Sequence, residues 1–297
     1  VLIGVDIGGT KCLAVSLGGG GDGDDAMVTA EARVPTARDP ESLIRTVTEL
    51  VRGLGQPAAV GLGVAGLVDR GGVLRVGPNL PGIGRLAIGP RLSEALGVPV
   101  AVANDATCGM VAEWRHGVAR GFDDALFVAF GTGVAGAQVC GGALQLGHSG
   151  FAGEFGHMIV DATGPACVCG QRGCWERYAS GAGLAFFGQQ HLGEVVIGEE
   201  VVRRARLGDA LARRAVDDVA RWAGLGLVNL VNAFDPAVVV ISGGLVEIGP
   251  MLIDPMRRWF AELTFAGDVR TLPELMPATF GETAAAVGAA LLASDLL

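Results

Sequence analysis

Charge, aromatic rings and long apolar runs are all scarce in this chain of 297 residues. Only 18% of the residues are Asp, Glu, Lys or Arg, and 5% are aromatic, with a single tyrosine. Set against a hydrophobic share of 50%, so little charge excludes a predominantly disordered chain, because there is ample apolar surface to offset the entropy of ordering. The longest apolar runs, such as 237–241 (AVVVI), fall far short of the roughly 20 residues that cross a bilayer as a helix, so the sequence predicts no membrane association. No basic flank and signal-type core open the chain, which starts VLIGVDIGGTK and reads at once as a strand. A cytoplasmic protein is the expectation. Basic clusters are missing too. Lys and Arg number 22 against 31 Asp and Glu, a net charge of −9, which repels phosphate backbones and argues against nucleic acid as a partner.

Glycine is what the chain has in excess, at 49 residues, with no G-x-y period, so it marks turns and loops and not a collagen-like repeat. Val1 to Asp6 and Cys12 to Leu17 read as a strand and a returning strand around a Gly-Gly turn. The same grammar recurs about 125 residues later, at Leu126 to Phe130 and Val134 to Cys140 around Gly131-Thr132-Gly133. Between the two lie predicted strands at Met27 to Val34, Ala58 to Val64 and Val98 to Ala103. Predicted helices start at Asp39-Pro40, near 90 and at Asn104-Asp105. This order predicts an α/β fold, a mixed sheet with helices on its faces. The second half carries helical patterns at 198–207, 209–233 and 249–264, and a buried strand over Ala237 to Ser242. A last helix at 284–295, almost all Ala, Val and Leu, must be buried, and its position suggests that it packs back on the first half. The run Gly18 to Gly23 reads as a hairpin tip without chemistry.

Several short motifs point to chemistry. In Asp6-Ile7-Gly8-Gly9-Thr10-Lys11 the glycines let backbone N–H groups approach a phosphate, Thr10 adds a hydroxyl, and Asp6 at the strand end can hold Mg²⁺ or its waters. Alone, such a hairpin is more often only a turn. The spacing is not that of the G-x-x-x-x-G-K-[ST] phosphate loop. Gly131, Thr132 and Gly133 repeat the pattern, and two such hairpins suit a triphosphate gripped at two places. Gly243-Gly244, after the buried strand, offers a surface for a nucleoside. Asn104-Asp105 is by position an ordinary helix cap or a side-chain pair facing a cleft. Of six cysteines, Cys167, Cys169 and Cys174 lie within eight residues. With His157 they make a Cys₃His set for tetrahedral Zn²⁺, although C-x-C spacing by itself leaves three incidental buried thiols open. Cys12, Cys108 and Cys140 read as small buried residues.

Taken in order, D6-I-G-G-T-K11, G61-L-G-V-A-G66, N104-D105-A106, G131-T-G133, A152-G-E-F-G-H157, C167-V-C-G-Q-R-G-C174-W-E176 and S242-G-G244 resemble the bacterial ROK sugar kinases, glucokinase-like members of the actin/hexokinase/Hsp70 ATPase superfamily. The resemblance implies two lobes of ribonuclease-H-like topology: a small one of residues 1–105 joined by the C-terminal helix at about 284–297, and a large one of 106–283. It implies an enzyme that binds ATP, Mg²⁺ and a sugar, with Asp105 as general base and Asn104 bonding sugar hydroxyls through both ends of its amide. Glu154, His157 and Glu176 would contact the sugar ring, and Asn79, in G77-P-N-L-P-G82, would lie in a loop over it. Asp6, Gly8, Gly9, Thr10, Lys11, Gly131, Thr132, Gly133, Gly243 and Gly244 would serve the nucleotide. His157, Cys167, Cys169 and Cys174 would hold a structural zinc, and the assembly would be a homodimer or homotetramer.

Glucose is the expected acceptor. The departures from the family pattern at Ile83, Ala103, Thr107 and Cys108 keep N-acetylmannosamine, allose, fructose or a cyclitol as runners-up. Repressor relatives carry a winged-helix domain ahead of the first core strand, whereas this sequence opens on that strand and keeps Asp105, so a non-catalytic sugar sensor is the lesser expectation.

Overall fold

The computed structural model describes residues 1–18, 27–80 and 82–297; most of the Gly18 to Gly23 run lies outside them. Strands β1 (Leu2–Ile7) and β2 (Lys11–Gly18) form the first hairpin, with Ile7 opposite Cys12. β3 (Met27–Pro35) pairs antiparallel with β2. Helix α1 (Pro40–Gly53) opens on Asp39, whose carboxylate accepts the Ser42 N–H at 2.9 Å, a cap that stabilises a helix by about 1 kcal/mol. β4 (Ala59–Val64) then lies parallel to β1. A small ribbon, β5 (Leu67–Val68) with β6 (Leu74–Val76), leads to α2 (Ile88–Leu96). β7 (Val100–Asn104), parallel to β4, runs straight into α3 (Asp105–His116).

The pattern then repeats. β8 (Ala125–Phe130), β9 (Val134–Cys140) and the short β10 (Ala143–Leu144) precede α4 (Gly181–Leu192), α5 (Gly198–Arg206) and the long α6 (Ala210–Phe234). β11 (Val238–Ser242), α7 (Pro250–Leu263), β12 (Glu274–Pro277) and α8 (Ala284–Ser294) complete the chain. The sheets run β3-β2-β1-β4-β7 and β10-β9-β8-β11-β12. Each is a three-strand antiparallel meander continued by two parallel strands, so the predicted mixed sheets and the duplicated hairpin are both present.

Packing divides the chain into two compact units, one of Val1–Phe122, Ala137–Gly153 and Ala278–Leu297, the other of Asp123–Gly136 and Glu154–Pro277. The sequence reading placed the boundary at 105/106. In the structure α3 goes with the first unit, because it packs along α8. Gly288 of α8 sits so close that a Cβ there would stand 1.7 Å from the Cys108 carbonyl oxygen. The same helix lies directly on the first sheet, where a Cβ on Gly4 or Gly61 would come within 1.8 and 1.7 Å of the Ala286 and Ala289 carbonyl oxygens. The apolar C-terminal helix thus does return to the first half. In the second unit, α6 bears Gly226 where Trp175 lies flat against it, fully buried, with its indole N–H on the Trp222 carbonyl at 2.7 Å. β5, β6, α4 and β12 are elements that the sequence reading omitted.

Candidate functional site

In the first unit the chemistry gathers at the C-terminal edge of three adjacent parallel strands. Asp6 is near the end of β1 and Asn104-Asp105 are at the end of β7, with β4 between them, so their backbones stand about 10 Å apart by strand spacing. Asn104 takes extended angles that end the strand, and its Oδ1 accepts the N–H groups of Ala106 at 2.8 Å and Thr107 at 3.4 Å, capping α3. Asp105 is then the first helical residue, with its carboxylate on the Ala106 N–H at 2.9 Å.

Both aspartates keep part of their surface exposed, yet the packing around them disfavours the charged form. Burial raises Asp6 to about 7, the Asp105 charge adds to that, and Lys11 opposes it. Burial also raises Asp105, while the N–H groups at the helix start and Asn104 hold it back. Two carboxylates poised in this way are characteristic of a reactive site.

The hairpin is tied by hydrogen bonds within the turn and to the residue just after β3. Gly8 N–H donates to the Lys11 carbonyl at 3.1 Å, and the Thr36 hydroxyl donates to the Gly8 carbonyl at 2.7 Å. Asn79 backs onto it so closely that a Cβ on Gly9 would lie 2.5 Å from the Asn79 carbonyl oxygen. Three features differ from the sequence reading. The Gly8 N–H is spent inside the turn. The Lys11 ammonium pairs with Glu282 at 3.0 Å, which also takes Arg33. The Asn104 amide is engaged at both ends by protein, since its Nδ2 donates to the Gly66 carbonyl at 3.2 Å. One amide N–H is thus left for a ligand, because the carbonyl end caps α3. Thr36 and Glu282 were not singled out from sequence. Gly66 was, as part of a motif; with φ at 156° and Val76 crowding its α-carbon, it can hardly be another residue.

The second unit gathers the other set. Residues 158–175 form a small ribbon, with Trp175 N–H on Met158, Val160 N–H on Gly173 and Cys167 N–H on Gln171. The ribbon brings His157, Cys167, Cys169 and Cys174 together, with their donor atoms all within 4.8 Å of one another. The Cys169 and Cys174 sulfurs are 3.5 Å apart, and Cys167 Sγ is 3.8 Å from His157 Nδ1. Ligands bound tetrahedrally to zinc stand roughly 3.5–3.8 Å apart, so these residues fit that ion. Burial pushes the Cys167 and Cys174 thiols up, whereas the Gln171 backbone draws Cys169 down.

Glu176 Oε1 accepts from Cys167 Sγ at 3.1 Å and lies 3.8 Å from His157 Nδ1, while Glu154 Oε2 is 3.9 Å from the other ring nitrogen. His157 therefore has one ring nitrogen toward Cys167 and the other toward Glu154. The second hairpin abuts this cluster: a Cβ on Gly133 would stand 2.5 Å from Glu176 Oε2, and the Gly131 carbonyl accepts the Gly181 N–H that opens α4. Thr132 is at its tip. Gly243, at φ 90°, lies against Phe130, where any side chain would strike backbone; Gly244 faces open space.

The sequence profile of the ROK family matches residues 2–296. The chain belongs to the ROK family. A ROK family glucokinase from Streptomyces griseus, solved in complex with glucose and AMPPNP, superposes with a TM-score of 0.87 at 32% identity, over 99% of both chains. An N-acetylmannosamine kinase of Citrobacter koseri is 32% identical over 97% of each chain. The xylose repressor of Bacillus subtilis is 30% identical over 80% of this chain and 61% of its own length. Membership of the ROK family therefore spans enzymes and a regulator, and the residues must carry the functional argument. Among the described residues, no helix is long and apolar enough to cross a membrane.

Proposed function

We propose that this chain is an ATP-dependent sugar kinase, which transfers the γ-phosphoryl group of ATP to a hexose hydroxyl, with Asp105 as general base and glucose, giving glucose 6-phosphate, as substrate. The observation that carries this reading is the Asp105 carboxylate, fixed at the start of α3, raised by burial and set across β4 from Asp6 and the Gly8–Thr10 turn. A carboxylate so placed suits a kinase, since the acceptor hydroxyl must lose its proton as it attacks phosphorus.

In this mechanism the carboxylate of Asp105 orients the sugar hydroxyl and takes its proton late, as the bond to phosphorus forms. Asn104 contributes its remaining amide N–H to the sugar, Asn79 borders the acceptor, and Glu154, His157 and Glu176 accept hydrogen bonds from ring hydroxyls. Glu176, largely buried, would reject analogues lacking its hydroxyl partner, because a buried acceptor is left unpaired. The N–H groups of Gly9 and Thr10 and the Thr10 hydroxyl are assigned to phosphate oxygens in the first unit, and Gly131, Thr132 and Gly133 in the second. Gly243 and Gly244 are assigned to the nucleoside. Asp6 would hold the Mg²⁺ that accompanies ATP, and that charge would favour its ionised form. Zinc, when bound by His157, Cys167, Cys169 and Cys174, supplies a cross-link and no open coordination position. We assign the protein a homodimeric or homotetrameric assembly on the family resemblance.

A coupled ATP-consumption assay over glucose, N-acetylmannosamine, allose, fructose and cyclitols tests the reading. Turnover with glucose at the highest kcat/KM is expected. A better substrate among the others would replace glucose, and no turnover with any ring compound would overturn the kinase assignment.

A further inference from the structure

The only tyrosine of the chain is placed where it can govern the cysteine ribbon without belonging to it. Tyr178 is 3% exposed, and its ring stacks on Trp222 at 4.2 Å and meets Phe186 edge-on at 6.0 Å. Its hydroxyl donates to Asp161 Oδ2 at 2.8 Å. Asp161 is on the ribbon itself. Its other oxygen accepts both the backbone N–H of Thr163 at 2.9 Å and the Thr163 hydroxyl at 2.8 Å, and its carbonyl accepts the Gly164 N–H at 2.9 Å. Two glycines exist to let this contact close: a Cβ on Gly164 would stand 2.0 Å from the Tyr178 oxygen, and one on Gly173 would stand 1.5 Å from the Asp161 carbonyl oxygen. Gly173 immediately precedes Cys174, and Gly164 lies three residues before Cys167.

We propose that the Tyr178–Asp161 hydrogen bond is a latch that pre-assembles the metal-binding ribbon, so that Cys167, Cys169 and Cys174 are gathered before any ion arrives. The inference rests on the zinc reading given above only for the identity of the ion. Fixing ligands in advance lowers the ordering cost of binding and slows escape, which is the role that groups behind metal ligands play. Both residues are positioning residues, since neither offers a donor to the four-residue cluster. The latch has one end sunk in an aromatic core and the other on the ribbon to be held.

The test compares the full-length wild type with Tyr178→Phe, which keeps the ring and removes only the hydroxyl. Two rates are read. One is the reaction of a disulfide thiol reagent with the cysteines after chelator treatment; the other is zinc release to a chelator from the zinc-loaded protein. Both rates are expected to rise about tenfold in Tyr178→Phe, with the melting temperature of the zinc-loaded protein essentially unchanged. Asp161→Asn, whose amide can still bond the tyrosine oxygen, should fall between the two and serves as the readout if Tyr178→Phe does not fold. Unchanged rates in both variants would overturn the latch while leaving the zinc site standing. Faster thiol reaction in a protein whose wild type holds no zinc would support the latch and remove the ion.

Discussion

The two sheets are copies of one plan, and they have been put to different uses. In each, a hairpin with a glycine-rich turn is followed by two parallel strands and a helix that leaves the last of them. After β7 that helix is α3, capped by Asn104 and opened by Asp105. After β12 it is α8, which has no side-chain cap and no acidic residue in its first turn, and which is buried along almost its whole length. One copy exposes a carboxylate at the helix start, where reaction can occur; the other uses its helix as core for the first sheet. The hairpins diverge in the same way. The first turn backs on Asn79 and faces Asp6, whereas the second backs on Glu176 and, through it, the cysteine ribbon. In the proposed function the first frame supplies the general base, and the second supplies Glu176 and the candidate metal ligands.

The largest expected effect comes from dismantling the second frame's ribbon. Stripping the metal, or Cys174→Ser, should lower the melting temperature by about 5 °C or more and raise the sugar KM in parallel, with the KM for ATP less affected. Equal melting and equal KM after verified metal loss would show that the ribbon stands without an ion.

A smaller effect should separate the hairpins themselves. Gly133→Ala drives a methyl into the Glu176 carboxylate and should raise the sugar KM by about tenfold, roughly 1.4 kcal/mol, with a smaller rise in the KM for ATP through its own turn. Gly9→Ala presses instead on the Asn79 backbone, so its larger effect should fall on ATP. If both variants changed only the KM for ATP, the division of labour between the frames would be wrong.

A further effect, on stability and not on binding, is electrostatic and belongs to the first frame alone. Asp6, raised to about 7, binds protons more tightly folded than unfolded. It therefore costs stability that grows as pH rises from about 4 and levels off above 7. Asp6→Asn should remove that cost, raising metal-free stability at pH 8 by on the order of 2 kcal/mol, discounted for its partial exposure, with no gain below pH 4. A pH-independent difference in chemical unfolding would refute the raised affinity of Asp6 for protons.

What was legible in the sequence was local. The strand-turn-strand of residues 2–18, the Asp39 cap, the sharp strand-to-helix step at Asn104-Asp105 and the spacing of the cysteines all write their structure into neighbouring residues. What was not legible depends on contacts between distant ones. Helix α4 carries glycines at 181, 183 and 188, which weaken its intrinsic signal; packing explains them, because a Cβ at 183 would strike the Tyr178 carbonyl and one at 188 the Val201 side chain. β12 is a four-residue edge strand ending in Pro277, too short for a periodic pattern. Lys11 looked free for phosphate, yet its partner Glu282 lies 271 positions away. The double use of the Asn104 amide needed Gly66 to be beside it. The grouping of α3 with the first unit was hidden for the same reason, since nothing in α3 announces that α8 will lie against it.

The claim on which the functional reading turns is that Asp105 takes the proton. Single-turnover phosphoryl transfer from ATP to glucose, measured for wild type and Asp105→Ala alongside nucleotide affinity, tests it most directly. A fall in the transfer rate of about 10²–10⁴-fold, with ATP affinity within a few-fold of wild type, is the expected result. A transfer rate close to wild type would contradict it.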